Sequence, residues 1–247
     1  MIINDISLKK AQWFAELSAL AYKDEKTQKE FFTAEGIGTH QFIDFDGTQA
    51  MLYAHNKEIG IVFRGTEPTQ LSDILADLDV RKKKAKKDDG YVHAGFQESL
   101  DDVWGDIKLF LNKNEHDRVY LSGHSLGAAI ATLAAARLEK CAAVYTFGSP
   151  RVGGRKFVKA NNSILHWRFI NNNDIVTRVP TAIRWKHHGH RVYIDRKGNV
   201  SPISGYKLWT DLLLGHLSSW RKLKFFDSFS DHNIIKYYKH LSNFNKQ

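Results

Sequence analysis

Residues 119–135 have the sequence VYLSGHSLGAAIATLAA, and this stretch decides the fold. An apolar run leads into the pentapeptide GHSLG at 123–127, and an alanine-rich pattern with helical spacing follows it. A serine hydroxyl is a weak nucleophile, so it is useful only where the fold exposes it beside a base and backbone N–H donors. A sharp turn from a strand into a helix does this. The stretch therefore predicts a nucleophile elbow with Ser125 at its tip.

The residues beside Ser125 suit such a turn. Gly123 and Gly127 stand two positions before and after the serine, and the absence of a Cβ lets the turn close without a clash. His124 and Leu126 complete the predicted elbow on either side. On this motif alone a second interpretation stays open, in which a Gly/Ser turn only caps the helix.

The length and composition fit a single α/β domain over residues 1–247. The chain is 43% hydrophobic and has only four prolines, which suits one sizeable core. Strand patterns alternate with helix patterns, and the apolar runs of the strands are unbroken. That pattern predicts a mostly parallel central sheet with helices on both faces. We find no repeat, low-complexity tract or linker that would divide the chain.

The sequence shows neither a signal peptide nor a pair of cysteines, and both observations bear on the compartment of the protein. The N-terminal residues show no basic segment followed by an apolar run, so no signal peptide is evident. No window reaches the roughly 18 apolar residues that cross a bilayer. We expect a soluble protein, either cytoplasmic or secreted after removal of a signal. Cys141 is the single cysteine and has no partner for an internal disulfide.

The net charge of +9 favours anionic partners. Part of the excess lies in the run RKKKAKK, which begins at Arg81 and ends at Lys87. A solvated basic face is the simpler interpretation of this run, and transient contact with an anionic lipid surface is the alternative. No nucleic-acid-reading element is evident, so we predict no nucleic-acid partner.

A serine nucleophile needs a base and a carboxylate that orients it. In folds with this elbow, the chain order is serine, acid, histidine. Asp174 ends the run NNND directly after an apolar strand, which would place its carboxylate at the same sheet edge as Ser125. The alternative for Asp174 is a simple Asn/Asp turn. The histidines that remain as candidate bases are His187, His188, His190 and His232.

Backbone donors are needed for the oxyanion that forms when the serine attacks. One should be the N–H of the residue after the nucleophile, Leu126. The second should come from a loop after an early strand. The sequence FRGT at 63–66 ends such a strand and offers the N–H of Thr66.

Five blocks of sequence, taken in order, resemble the class 3 lipases, the fungal-type triacylglycerol lipase family. They are IVFRGT at 61–66, VHAGF at 92–96, GHSLG at 123–127, TFGSPRVG at 146–153 and NDIVTRVP at 173–180. The resemblance implies an α/β-hydrolase fold with a mixed sheet, and hydrolysis of carboxylic esters such as acylglycerols through an acyl-enzyme. Phospholipase, lysophospholipase or acyltransferase activity at anionic lipid surfaces is the alternative, as is a catalytically silent lipase-like binding module.

The resemblance also implies site residues. The triad matches Ser125, Asp174 and His232, with Thr66 and Leu126 as the oxyanion donors, and His187 to His190 become structural. We predict no cofactor and no metal.

The family places a lid just after the oxyanion residue. Many relatives carry Asp-Trp-x-x-Asp there, whereas this chain has DILAD at 73–77. The candidate lid presents a small apolar face, and packing of that face on the core is the alternative. Its members are Leu71, Ile74, Leu75 and Leu78. The aromatic-rich segment 209–229 is a candidate lining of the acyl pocket or a part of the core.

Overall fold

The computed structural model of the chain describes residues 5–66, 81–87, 90–201 and 230–244. An eight-stranded sheet forms its centre, in the order β1-β2-β3-β6-β7-β8-β9-β10, and β4 pairs with β5 in a separate two-stranded sheet. The strands are β1 (Thr39–Phe45), β2 (Thr48–His55), β3 (Glu58–Phe63), β4 (Lys82–Lys84), β5 (Tyr91–His93), β6 (Arg118–His124), β7 (Ala143–Phe147), β8 (His166–Asn171), β9 (His190–Ile194) and β10 (Val200–Ser201).

The middle of the large sheet is parallel. Strands β3, β6, β7, β8 and β9 run in the same direction, while β1, β2 and β10 pair antiparallel with their neighbours. All five residues of β7 are buried, and so are five of the six in β3. This burial on both faces explains the unbroken apolar runs and confirms the mostly parallel sheet that the sequence predicted.

Helices cover both faces of this sheet. The described helices are α1 (Asp5–Leu20), α2 (Glu25–Ala34), α3 (Ala94–Lys113), α4 (Leu126–Arg137), α5 (Arg155–Ala160) and α6 (Ile234–Phe244), with a 3₁₀ turn at Val176–Arg178. One core cluster joins the sheet to α3, α4 and α5, and the other joins it to α1, α2 and α6. Strand β3 contributes to both, because Ile61 faces the first cluster and Val62 faces the second.

Helix α4 sets the position of the serine turn. Ten of its twelve residues, from Gly127 to Ala136, are buried, and most are alanine. Small side chains let the helix lie close to the sheet, and a Cβ added at Gly127 would stand 2.2 Å from the carbonyl oxygen of Phe63. The N-terminus of α4 is therefore held directly against the carboxyl end of β3.

Candidate active site

Ser125 occupies the turn between β6 and α4. Its φ of 58° and ψ of −126° define a backbone conformation that residues other than glycine rarely adopt. Such a backbone conformation costs about 1–3 kcal/mol and persists only where the surroundings hold it. Here the N–H of Ser125 donates to the carbonyl oxygen of Phe147 at the end of β7, at 3.0 Å. The fold thus holds the serine in a strained conformation at the carboxyl edge of the sheet.

The glycines of this turn are required by close approach rather than by φ. A Cβ at Gly123 would lie 2.4 Å from the carbonyl group of Gly127. A Cβ at Gly127 would collide with β3, as described above. The turn can therefore close only when both positions lack a side chain.

Asp174 and His232, which are 58 residues apart in sequence, meet beside this turn. The Nδ1 atom of His232 lies 2.8 Å from Oδ2 of Asp174 and 2.9 Å from Oδ1. Asp174 is fully buried and His232 is 3% exposed. Because a carboxylate accepts hydrogen bonds, Nδ1 of His232 carries the proton and Nε2 has a free lone pair.

Asp174 has further donors that the sequence did not reveal. The N–H of Val176 donates to Oδ1 at 2.9 Å, and the hydroxyl of Tyr237 on α6 donates to Oδ2 at 2.5 Å. Burial, followed by the negative charge of Asp174, raises the pKa of Tyr237 well above its ordinary value, so the phenol stays protonated. The Tyr237 oxygen in turn accepts from the N–H of Asn171 at 3.0 Å. The carboxylate is thus held from three sides.

His124 links the serine turn to the histidine. Its Nε2 atom lies 2.6 Å from the backbone carbonyl oxygen of His232, and its Nδ1 atom lies 2.8 Å from the Tyr22 hydroxyl. Burial, followed by the charge of His232, lowers the pKa of His124 well below its ordinary value. A neutral ring with one proton fits both bonds, since Nε2–H donates to the carbonyl and Nδ1 accepts from Tyr22. His124 therefore connects the two elements that carry Ser125 and His232.

The reactive atoms themselves remain unpaired. Within the described part of the chain, neither Oγ of Ser125 nor Nε2 of His232 has a hydrogen-bond partner, although both are buried. Gly148 makes room for this arrangement, because a Cβ there would lie 2.7 Å from Oδ2 of Asp174 and 2.8 Å from the His232 ring. Its φ of +61° also favours glycine.

A cavity of about 350 Å³ opens beside the serine turn. Thr66 and Leu126, the two predicted oxyanion donors, both line it, together with Arg64 and Gly65. A Cβ at Gly65 would lie 3.0 Å from Cβ of Ser125, so the loop after β3 passes directly against the nucleophile. Both predicted donors therefore line one cavity, and Leu126 and the neighbouring Gly65 adjoin Ser125.

The other candidate bases lie elsewhere. His187 contacts the carbonyl oxygen of Thr177 through Nε2, and His188 contacts that of Asn161, each at 2.8 Å. His190 packs its ring against Trp167. Of the four histidines considered, only His232 contacts Asp174 in the residues that the structure describes.

Two sequence predictions fall outside the described residues. They are the candidate lid, with Leu71, Ile74, Leu75 and Leu78, and the aromatic-rich segment 209–229. Where side chains are described, no group of three or more His, Cys, Asp or Glu residues is arranged to hold a metal ion. No helix in the same residues is both long and apolar enough to cross a membrane.

Three lysines of the basic run form an exposed strand. Lys82–Lys84 make up β4, which pairs with β5. Carboxylates of α3 neutralise part of the charge: Lys83 lies 3.4 Å from Glu98, and Lys86 lies 3.5 Å from Asp101. The run is thus a partly ion-paired basic surface.

The elbow, the parallel sheet and the order of strands define an α/β-hydrolase. The sequence profile of the class 3 lipases matches residues 60–183, and the chain belongs to this family. The match begins in β3 and includes the serine turn and Asp174, whereas His232 lies beyond it.

Two relatives and one solved structure show how far the similarity extends. Toxin TseL of Vibrio cholerae is 36% identical over 115 residues, covering 44% of this chain and 18% of that protein. The secreted mono- and diacylglycerol lipase LIP2 of Malassezia restricta is 28% identical over 189 residues, covering 67% and 59%. The chain thus spans less than two thirds of both relatives. Lipase II from Rhizopus niveus superimposes with a TM-score of 0.69 at 25% identity, covering 82% of this chain and 88% of that one.

Proposed function

We propose that this chain is a serine carboxylic-ester hydrolase that cleaves acylglycerols or other acyl esters. The observation that carries the proposal is the Asp174–His232 pair, which leaves Nε2 of His232 and Oγ of Ser125 as unpaired, buried atoms at one sheet edge. Membership of the class 3 lipases and the lipase names of relatives support an ester substrate.

The first half of the reaction acylates the serine. Oγ of Ser125 attacks the ester carbonyl carbon while Nε2 of His232 takes the hydroxyl proton. Asp174 holds the imidazole in the tautomer that has its proton on Nδ1, and stabilises the imidazolium that forms. The backbone N–H groups of Leu126 and Thr66 bind the oxyanion. The tetrahedral intermediate then breaks its bond to the alcohol, which leaves with the proton from His232.

The second half releases the acid. A water molecule gives a proton to Nε2 of His232 and attacks the acyl carbon, and the same two N–H groups bind the new oxyanion. The bond to Oγ of Ser125 breaks and the serine recovers its proton. Each half uses the same base and the same donors, so one constellation serves both steps.

Replacing the nucleophile tests the proposal directly. Ser125→Ala should reduce kcat toward a nitrophenyl ester by a factor on the order of 10⁴–10⁶, since triad members act as a unit. Ser18→Ala is the matched control, because Ser18 is also buried but lies on α1, where its hydroxyl contacts that of Ser122. Retained turnover in Ser125→Ala would overturn the proposal, and a silent binding module would show no turnover in the wild type either.

The length of the acyl chain is the next quantity to measure. A panel of nitrophenyl esters of increasing chain length, with and without a lipid interface, separates a lipase from an esterase. Because the described cavity wall carries polar groups such as Arg64 and Thr66 as well as Leu126, we expect short and medium chains to be accepted without an interface. Turnover of long-chain emulsions alone would contradict this expectation.

A further inference from the structure

A second cavity, of about 210 Å³, lies over β8 and β9 and carries a concentration of positive charge. Arg151, Arg168, Arg178, Arg191 and His187 line it, and no carboxylate does so among the described residues. On β8, Trp167 and Phe169 pack into the cluster that contains α1 and α6. Because side chains alternate along a strand, Arg168 points to the opposite face, where this cavity is.

Arg168 is the buried arginine among the residues that line this cavity. It is 7% exposed, and its Nε and Nη1 atoms have no hydrogen-bond partner in the part of the chain that is described. In the sheet register it stands directly beside Arg191 on β9. Burial, followed by the charges of Arg191 and Arg151, lowers the pKa of Arg168 to about 9. The group therefore stays cationic at neutral pH, with buried N–H donors that lack acceptors.

Two of the neighbouring arginines, Arg151 and Arg178, are oriented by neutral oxygens. Arg151 donates through Nη1 to the carbonyl oxygens of Arg178 and Pro180, and Arg178 donates to Oδ1 of Asn173 at 3.0 Å. These acceptors are neutral oxygens, so the bonds fix the guanidinium groups in place but leave their charge. His187 is held through Nε2 by Thr177, and its Nδ1 atom has no partner within the described residues.

Burying a charge costs folding free energy unless the charge is paired. Buried side-chain donors without a hydrogen-bond acceptor are correspondingly rare in folded proteins. Guanidinium forks bind oxyanions through two parallel N–H···O bonds. A carboxylate carries a single negative charge and is planar, so it could pair with only some of the four arginines around this cavity. A tetrahedral dianion, which offers oxygens in several directions, matches them better.

We propose that this cavity binds a phosphate group through Arg168, supplied either as free phosphate or as the phosphomonoester headgroup of a lipid. The site is separate from Ser125, and its occupation is measured without turnover, so the inference does not rest on the proposed function. The two regions share one wall, because Thr177 lines the cavity and its hydroxyl donates to the carbonyl oxygen of Asp174 at 2.8 Å.

Thermal unfolding with added inorganic phosphate tests binding, with potassium chloride at equal ionic strength as the salt control. Ligands that bind the folded state raise the unfolding midpoint in a saturable way. We expect this rise in the wild type and in Arg196→Met, the matched control, which removes the same charge from an exposed residue after β9. Arg168→Met should weaken the apparent affinity by about 10-fold or more, since hydrogen bonds to charged groups are lost.

Stability in phosphate-free buffer gives a second readout. Because Nε and Nη1 of Arg168 are buried without a partner in the described residues, Arg168→Met should be at least as stable as the wild type there. If it is clearly less stable, with or without phosphate, a carboxylate of the chain pairs with Arg168 and the proposal is wrong. The absence of a phosphate-specific rise in the wild-type midpoint would also overturn it.

Vesicle sedimentation separates the two sources of the phosphate group. The vesicles contain equal parts of phosphatidylcholine and phosphatidic acid, or equal parts of phosphatidylcholine and phosphatidylglycerol. Binding to the phosphatidic acid vesicles that Arg168→Met reduces and Arg196→Met does not would identify a headgroup. Phosphate stabilisation without Arg168-dependent vesicle binding would identify free phosphate.

Discussion

Asp174 and Arg168 are buried charges six positions apart in the chain, and their surroundings are opposite. The Asp174 carboxylate accepts hydrogen bonds from His232, Tyr237 and the N–H of Val176. Arg168 has donors without acceptors in the described residues and other arginines around it. A folded chain tolerates the first kind of charge because its hydrogen bonds replace those of water, whereas the second kind requires an external partner. The Asp174 charge therefore fits the proposed catalytic role, and the Arg168 charge fits the proposed phosphate site.

The largest effect should come from removing the satisfied charge. Asp174→Asn leaves the size of the side chain unchanged but favours the wrong tautomer of His232, so we expect kcat for a nitrophenyl ester to fall by about 10⁴. Circular dichroism checks that the variant folds. A kcat within 10-fold of the wild type would show that Asp174 does not orient the base.

Removing one donor to that charge should have an intermediate effect. Tyr237→Phe deletes the 2.5 Å hydrogen bond to Asp174 and keeps the ring in the core. Loss of a hydrogen bond to a charged group costs about 1.5–3 kcal/mol, and urea unfolding measures it. Tyr238→Phe, next to it on α6, is the control, because that hydroxyl contacts the partly buried Glu16 at 3.3 Å instead. Equal stability of the two variants would contradict the role of Tyr237.

The residues around Arg168 should make the free energy of unfolding depend on pH. Burial, followed by the charge of Arg168, lowers the pKa of His187 well below its ordinary value in the folded state. The unfolded chain then takes up a proton below pH 6.5 or so while the folded chain does not, so stability is lost as the pH falls. One such group contributes up to about 1.4 kcal/mol per pH unit.

Urea unfolding at pH 7 and pH 5 measures this loss. Four other histidines, His124, His166, His188 and His240, have lowered pKa values for the same primary reason and add to it. The Arg168→Met variant should lose less stability between the two pH values than the wild type, because a charge that opposes protonation of His187 is gone. An unchanged difference would show that Arg168 does not act on His187.

The smallest effect should come from the exposed positive charges. We propose that the run from Arg81 to Lys87 makes weak, salt-sensitive contact with anionic lipid, because its ion pairs with α3 already offset part of its charge. Lys83→Gln should change the free energy of unfolding by no more than about 0.5 kcal/mol, as usual for an exposed pair. Its vesicle binding should fall slightly, and only at low salt. A large loss of vesicle binding in Lys83→Gln at physiological salt would contradict the weak contact that we propose.

Local patterns predicted the elements that depend on neighbours in sequence. The elbow, α4 and the parallel strands follow from apolar periodicity and glycine spacing, and the position of Asp174 at the sheet edge follows from its place after a strand. Helix α2 was not predicted, because its ten residues carry mostly charged and polar side chains and it buries only Gln28 and Phe32. The three-residue strands β4 and β5 were also missed, since β4 is exposed throughout.

Contacts between distant residues could not be predicted in this way. Tyr22 and His124 are 102 positions apart, and Tyr237 and Asp174 are 63 apart, so no local pattern joins them. For the same reason the residues alone left four histidines open as the base, and only the resemblance to a family selected His232. The arginine cavity draws its residues from β8, β9, the 3₁₀ turn and the loops around them, and each arginine alone is an ordinary basic residue. Residues 1–247 as a single domain stays a prediction.

The hydrogen bond from the Ser125 amide to Phe147 has a consequence for heat inactivation. That amide is buried between β7 and α4, so its proton can exchange with solvent only when the core itself opens. Hydrogen exchange at this position should therefore be among the slowest in the protein. The enzyme that we propose would then lose its activity in the same transition as its fold, without an earlier inactive but folded stage.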